Sequence, residues 1–246
     1  GCGFSGDVPW SEGKLQWRFE WPAQWAMFET TFEPFGKDHY EGSWKSGQDI
    51  MKAVYGAEPP IPYVYEFFLV NGEKMSASKG NVYIVQDMLK IIEPEIFLYF
   101  YTKRPGRQRD LDLKNIGLLV DDFEHVERVY FDVDKEENEK EKENLKRSYF
   151  MALDNPPKKI PVRVSYSFAS LVSQYYSDGE KILALLQTLN MLKEKPGKEE
   201  EKQILKRFWL AKNWIDLFAP AVTRLNLQDD VSEEINSELT ESDIKT

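Results

Sequence analysis

A chain of 246 residues with 41% hydrophobic and 14% aromatic residues carries too much apolar material for a disordered protein and is long enough for two folded units. Its formal net charge of −10 excludes a surface coated all over with nucleic acid, since phosphate binding needs clustered Lys and Arg; a local basic patch stays possible, and DNA is not expected as a partner. No apolar run approaches the ~18 residues of a membrane span and no signal-peptide pattern opens the chain, so a cytoplasmic protein without a membrane partner is expected.

The single cysteine, Cys2, rules out an internal disulfide framework and agrees with a reducing compartment. The opening Gly1-Cys2-Gly3-Phe4-Ser5-Gly6 has no initiator Met, and the expectation is a chain that begins inside a longer product. Much of the acidity falls in residues 132–143, around Glu136, Glu137, Glu139, Glu141 and Glu143, and in a polar tail over residues 229–246.

Residues 1–105 mix short apolar runs with Gly and Pro punctuation, the pattern of an α/β domain. The aromatic, β-branched run Pro62 to Val70 predicts one largely buried strand, followed by a turn at Asn71-Gly72. The stretch Lys74-Met75-Ser76-Ala77-Ser78-Lys79-Gly80-Asn81 comes next, and Val85 to Ile92 has the spacing of a short helix.

From about residue 106 to 228 the pattern is helical. Buried faces are predicted at Ile116, Leu119, Val120, Phe123 and Val126, at Phe168, Leu171, Val172 and Tyr175, at Ile182, Leu185, Leu186 and Leu189, and at Leu205, Phe208, Ala211, Ile215 and Phe218. Pro156-Pro157, Pro161, Pro196-Gly197 and Pro220 punctuate them, and a helical bundle is the natural way to cover such faces. The charged run from Asp134 to Arg147 reads as a solvated helix or linker.

Two lysines, two hydroxyls and a glycine between 74 and 81 can wrap a polyphosphate, with ammonium groups meeting charge and hydroxyls or N–H groups meeting oxygen. A polar surface turn favours the same residue types. Trp17-Arg18-Phe19-Glu20-Trp21-Pro22-Ala23-Gln24-Trp25 places three tryptophans in nine residues, a grouping that more often serves core packing than a pocket. The basic stretch Lys103-Arg104-Pro105-Gly106-Arg107-Gln108-Arg109 fits either phosphate contacts or a solvated turn.

The Lys74 to Asn81 string resembles the Lys-Met-Ser-Lys-Ser signature of class I aminoacyl-tRNA synthetases, in the form extended by Lys-Gly-Asn that is typical of class I lysyl-tRNA synthetases. It departs at Ala77, where the general signature has lysine and the lysyl enzymes usually have serine. The tryptophan segment and Gly36-Lys37-Asp38-His39 resemble segments of the same family, which commonly has a second histidine where this chain has Tyr40.

The resemblance implies the second half of a Rossmann-like catalytic domain over residues 1–105 and an α-helical, tRNA-binding region after it. It implies ATP-dependent ligation of lysine to tRNA(Lys) through a lysyl-adenylate, with ATP and Mg2+ required. Lys74 and Lys79 would stabilise charge on the leaving phosphates. Gly36, Asp38, Met75, Ser76 and Ser78 would complete the ATP site, and Trp17 and His39 the lysine pocket. Lys103, Arg104, Arg107 and Arg109 would meet tRNA phosphates.

Cys2-Gly3 resembles the end of a zinc-binding segment of that family. A tetrahedral site needs four ligands and this chain supplies one cysteine, so zinc is expected only in a longer product. The early His-x-Gly-His-like signature is not in the sequence, so this chain is not expected to catalyse either step alone. Two other readings stay open: a paralogue that binds tRNA or a partner without catalysis, and a class I synthetase of another amino acid specificity.

Overall fold

The computed structural model describes residue 3, residues 5–192 and residues 195–226; Cys2 and the tail expected over residues 229–246 lie outside them. The chain divides into two compact units, Gly1–Lys79 with Arg104–Leu111, and Gly80–Lys103 with Asp112–Thr246. Among the described residues the content is mixed α/β with two small sheets.

The first unit opens with helix α1 (Trp17–Met27), followed by strand β1 (Phe32–Gly36) and helix α2 (Lys45–Ile50), which is flanked by π-helical turns. Their shared core is aromatic: Trp21, Trp25, Phe35, Trp44 and Met51 are each less than 5% exposed. Ring centroids lie 4.8 Å apart for Trp21 and Trp25, 5.0 Å for Trp25 and Trp44, and 4.7 Å for Phe35 and Trp44. Such pairs add roughly 0.5–1.5 kcal/mol each beyond the burial of their area. α2 approaches closely because position 47 is glycine, where a Cβ would stand 2.8 Å from the Trp25 ring.

Strand β2 (Ile61–Tyr65) runs parallel to β1 in a two-stranded sheet, with Gly36 opposite Tyr65. Strand β3 (Phe68–Val70) and the short β4 (Glu73–Lys74) form an antiparallel hairpin, and β5 (Arg109–Leu111) lies parallel to β3 on its other side. Asn71 and Gly72 both have positive φ, 51° and 80°, as a two-residue hairpin turn requires, and the Gly72 N–H donates to Asp110 Oδ1 at 3.0 Å.

The single buried strand expected over 62–70 is therefore two strands in two sheets, broken at Glu66-Phe67. All five residues of β2 are exposed. A strand in a two-stranded sheet, with no second layer over its side chains among the described residues, keeps its aromatic and β-branched groups in solvent.

The second unit contains helices α3 (Val85–Met88), α4 (Pro94–Thr102), α5 (Gly117–Tyr130), α6 (Glu139–Ala152), α7 (Tyr166–Val172), α8 (Gly179–Thr188) and α9 (Lys198–Leu217). Asn138, Ser165 and Asp178 cap the first turns of α6, α7 and α8. α5 buries Val120, Phe123 and Val126 as the spacing predicts.

α7 buries Val172 as expected, together with Tyr166, Ala169 and Ser170, while Leu171, and Tyr175 just beyond the helix, stay 49% and 55% exposed. Burial of the polar groups is supported by hydrogen bonds from Tyr166 Oη to the Ile91 carbonyl at 2.7 Å and from Ser170 Oγ to the Tyr166 carbonyl at 2.7 Å. α8 likewise buries Ile182 and Leu186 but leaves Leu189 exposed.

The core of this unit also holds a charge. Arg207 on α9 is 2% exposed, pairs with Glu93 and Glu124, and donates through Nη1 to the Val164 carbonyl at 3.0 Å. Burial raises the pKa of Glu124 despite the nearby guanidinium. Burial works against the charge of Arg207, but its two carboxylate partners outweigh that and raise its pKa.

Two outcomes test this packing. Gly47→Ala is expected to lower stability by about 1–3 kcal/mol, read as a fall in denaturant midpoint followed by near-ultraviolet circular dichroism of the tryptophans; an unchanged midpoint would contradict the close approach of α2. Arg207→Leu, which strands two buried carboxylates, is expected to cost about 3–5 kcal/mol in the same assay, and a neutral result would show that Glu93 and Glu124 find other partners.

Candidate functional site

In the first unit α1, the end of β1, the segment after β2 and the end of β4 line one cavity of about 540 Å³. Its floor is set by the carboxyl ends of the parallel strands, Gly36 on β1 and Tyr65 on β2, the edge at which open parallel sheets bind ligands. Gly36 leads into a tight turn at Lys37–His39. The hairpin carries the chain back so that Lys74 and Met75 close another wall.

The tryptophans divide by position on α1. Trp21 and Trp25 are core at 4% and 1% exposure, whereas Trp17, 42% exposed, stacks on Trp21 at 5.4 Å and walls the cavity. His39 stands edge-on to Trp21 at 5.7 Å and tilted to Trp17 at 6.5 Å. The aromatic core thus positions both residues from behind.

Lys74 Nζ lies 3.8 Å from Asp38 Oδ2 and 3.5 Å from the centroid of the Phe67 ring. Lys37 pairs with Glu66 and its ammonium sits 4.9 Å from the same ring. Phe67 thus faces two cations, an arrangement its negative ring face stabilises. Ring and carboxylates together hold positive charge at the strand ends, where a polyanion can exchange for Asp38. At Gly36 a Cβ would stand 2.9 Å from Asp38 Oδ1, so the bare backbone there keeps the carboxylate in place.

The structure brings together Trp17, Gly36, Asp38, His39, Lys74 and Met75. Ser76 and Ser78 do not line the cavity; their hydroxyls are 2.9 Å apart, Ser76 just before the turn Ala77–Lys79 and Ser78 within it. The side chain of Lys79, like Cys2, lies outside what the structure describes. Among the described residues no group of three His, Cys, Asp or Glu could hold a metal ion, so they offer no set of zinc ligands.

The basic stretch is divided. Lys103 belongs to the second unit and pairs with Asp122, which also accepts from Tyr99 Oη at 2.8 Å. Arg104 and Arg107 line a groove of about 780 Å³ in the first unit, and Arg109 lies on β5 with its guanidinium 5.1 Å from the Phe68 ring.

Sequence reasoning passed over Phe67 and Glu33 as cavity residues. Phe67 was hidden in an aromatic run, and only its position between two nearby lysines marks it. Glu33 showed no signal until β1 turned its odd-numbered side chains, with Phe35, toward the tryptophans.

The profile of the family described as "tRNA synthetases class I (K)" matches residues 1–152, and the chain belongs to that family. It is 40% identical over 214 residues to the lysine–tRNA ligase of Natronomonas pharaonis, covering 87% of this chain and 39% of that protein. It is 48% identical over 172 residues to the lysine–tRNA ligase of Haloarcula marismortui, covering 70% and 31%. With that of Thermococcus kodakarensis it shares 35% identity over 245 residues, covering 96% and 46%. The chain therefore spans under half the length of these relatives. No helix among the described residues is long and apolar enough to cross a membrane.

A crystal structure of Gly36→Ala is expected to show the Asp38 carboxylate displaced, with its distance to Lys74 Nζ longer than the present 3.8 Å. An unmoved carboxylate would mean that Gly36 is dispensable for the site.

Proposed function

We propose that the protein of which this chain is the sequence joins lysine to tRNA(Lys) at the expense of ATP, through a lysyl-adenylate, and that the cavity between α1, β1 and the hairpin is where the adenylate forms. The observation that carries this reading is Lys74 Nζ at the carboxyl ends of the parallel strands, 3.8 Å from Asp38, in one cavity with Gly36, Trp17 and His39. The names of the relatives, all lysine–tRNA ligases, supply the amino acid and the RNA.

In this reading residues 1–105 are the second half of a Rossmann-like catalytic domain and the helices after them form a bundle that serves tRNA binding. The lysine carboxylate attacks the α-phosphate, a bond forms to phosphorus, and pyrophosphate leaves; the activated carboxyl then passes to the terminal ribose of the tRNA. ATP is held along the path from Gly36 and Asp38 to the segment Lys74 to Lys79, with Met75, Ser76 and Ser78 beside it, and Mg2+ travels with the triphosphate as part of that substrate. Asp38 accepts a hydrogen bond from a ribose hydroxyl or an amino group once phosphate oxygens replace it beside Lys74.

Charge grows on the β- and γ-phosphates as the bond breaks, and ammonium groups fixed there lower the barrier by electrostatic preorganisation. Trp17 packs the methylenes of the lysine substrate and His39 borders its polar end. Arg104, Arg107 and Arg109, with Lys103, offer charge to the tRNA backbone without reading its bases.

In the complete gene product Lys79→Ala is expected to slow lysine-dependent ATP–pyrophosphate exchange by about 100- to 1000-fold with little change in lysine affinity, and Lys74→Ala to have a smaller effect in the same direction. A normal exchange rate in Lys79→Ala would overturn the assignment of the loop to the leaving phosphates. Exchange driven by an amino acid other than lysine would overturn the specificity.

A further inference from the structure

The proposed substrate carries an ε-ammonium at the far end of four methylenes, and a buried cation needs a carboxylate to meet it. Three carboxylates line the cavity: Glu33, Asp38 and Glu66. Asp38 is paired with Lys74 and Glu66 with Lys37. Glu33 has no cation beside it among the described residues; it accepts a hydrogen bond from Trp25 Nε1 at 2.8 Å. A fourth carboxylate, Glu20, lies nearby on α1 but does not line the cavity.

We infer that Glu33 is the residue that receives the ε-ammonium of the amino acid substrate and so selects lysine; this rests on the function proposed above. Trp21, Trp25 and Phe28 line the same cavity as Glu33, so once a substrate side chain covers that half-buried carboxylate, an opposite charge is what satisfies it. The Trp25 indole fixes the rotamer of the carboxylate from the core side and leaves acceptor capacity for a donor from the cavity.

The geometry suits an extended amino acid. Glu33 and Gly36 are joined by strand, which runs about 10 Å between them at roughly 3.3 Å per residue, with Trp21 between His39 at one end and Trp25 at the other. A substrate whose reacting carboxylate lies by the strand ends thus reaches Glu33 with its terminal group. An amino acid with an apolar or shorter side chain would leave that carboxylate desolvated and unpaired, which discriminates more strongly than loss of methylene contacts.

The test is Glu33→Gln in the complete gene product, because glutamine can still accept the Trp25 hydrogen bond while removing the charge. The expected result is a rise in the KM for lysine in ATP–pyrophosphate exchange of roughly 10- to 100-fold, with the KM for ATP unchanged. Norleucine, which lacks the ammonium, is then expected to inhibit the variant at least as well as the wild type, so that the preference for lysine over norleucine collapses. An unchanged KM for lysine, or an intact preference, overturns this inference while leaving the proposed function standing. A rise in the KM for ATP alongside that for lysine shows general damage to the site and also counts against it. A wild-type protein with no lysine-dependent exchange overturns the function and this inference together.

Discussion

The cavity exists because four aromatic rings lock α1, α2 and β1 to one another. Trp21, Trp25, Phe35 and Trp44 form a continuous set of ring contacts, none longer than 5.9 Å between the pairs in contact, and all four are nearly free of solvent. Three residues that face the cavity lean on that set: Trp17 stacks on Trp21, His39 meets Trp21 by its edge, and Glu33 is held by the Trp25 indole. A close-packed core transmits small shifts rather than absorbing them, so the placement of β1 sets the placement of Gly36 and Asp38.

Electrostatics then adds what packing cannot. Phe67 has no sequence signal of function, yet its ring faces the ammonium groups of both Lys37 and Lys74. With Glu66 and Asp38 as counter-charges, the site gathers two cations and two anions at the ends of the parallel strands. Such an arrangement is stable alone and readily exchanged for a polyphosphate, whose oxygens can take over from Asp38 without moving the lysine far. The second unit uses charge in the opposite way: Arg207 is enclosed with Glu93 and Glu124, where replacement of one member leaves the others without compensation.

Much of the local structure was legible because it follows from short-range rules. Asn71-Gly72 marked a two-residue turn, and the chain makes one with both residues at positive φ. The apolar spacing from Ile116 to Val126 marked the buried face of α5. The run Pro62 to Val70 misled, because composition cannot tell whether one strand continues or breaks at Glu66-Phe67 to enter a second sheet. Around α7 the apolar spacing marked Val172 but also Leu171 and Tyr175, which stay exposed, and it missed Tyr166 and Ser170, buried with their hydroxyls hydrogen-bonded. Arg207, Glu93 and Glu124 carried no signal in the sequence, since their pairing spans long stretches of it. At the site, motif residues such as Lys74, Asp38 and Trp17 stood out by resemblance, while Glu33 and Phe67 emerged only from the folded arrangement.

The account stands or falls on whether one cavity accepts both halves of a lysyl-adenylate. The most direct measurement is a crystal structure of the complete gene product with a non-hydrolysable lysyl-adenylate analogue. The account predicts the lysyl chain packed against Trp17 with its ammonium at Glu33, and the nucleotide over Gly36 with its phosphate mimic beside Lys74. An analogue seated elsewhere, with the Lys74–Asp38 pair undisturbed and the tryptophan cavity empty of it, would contradict it.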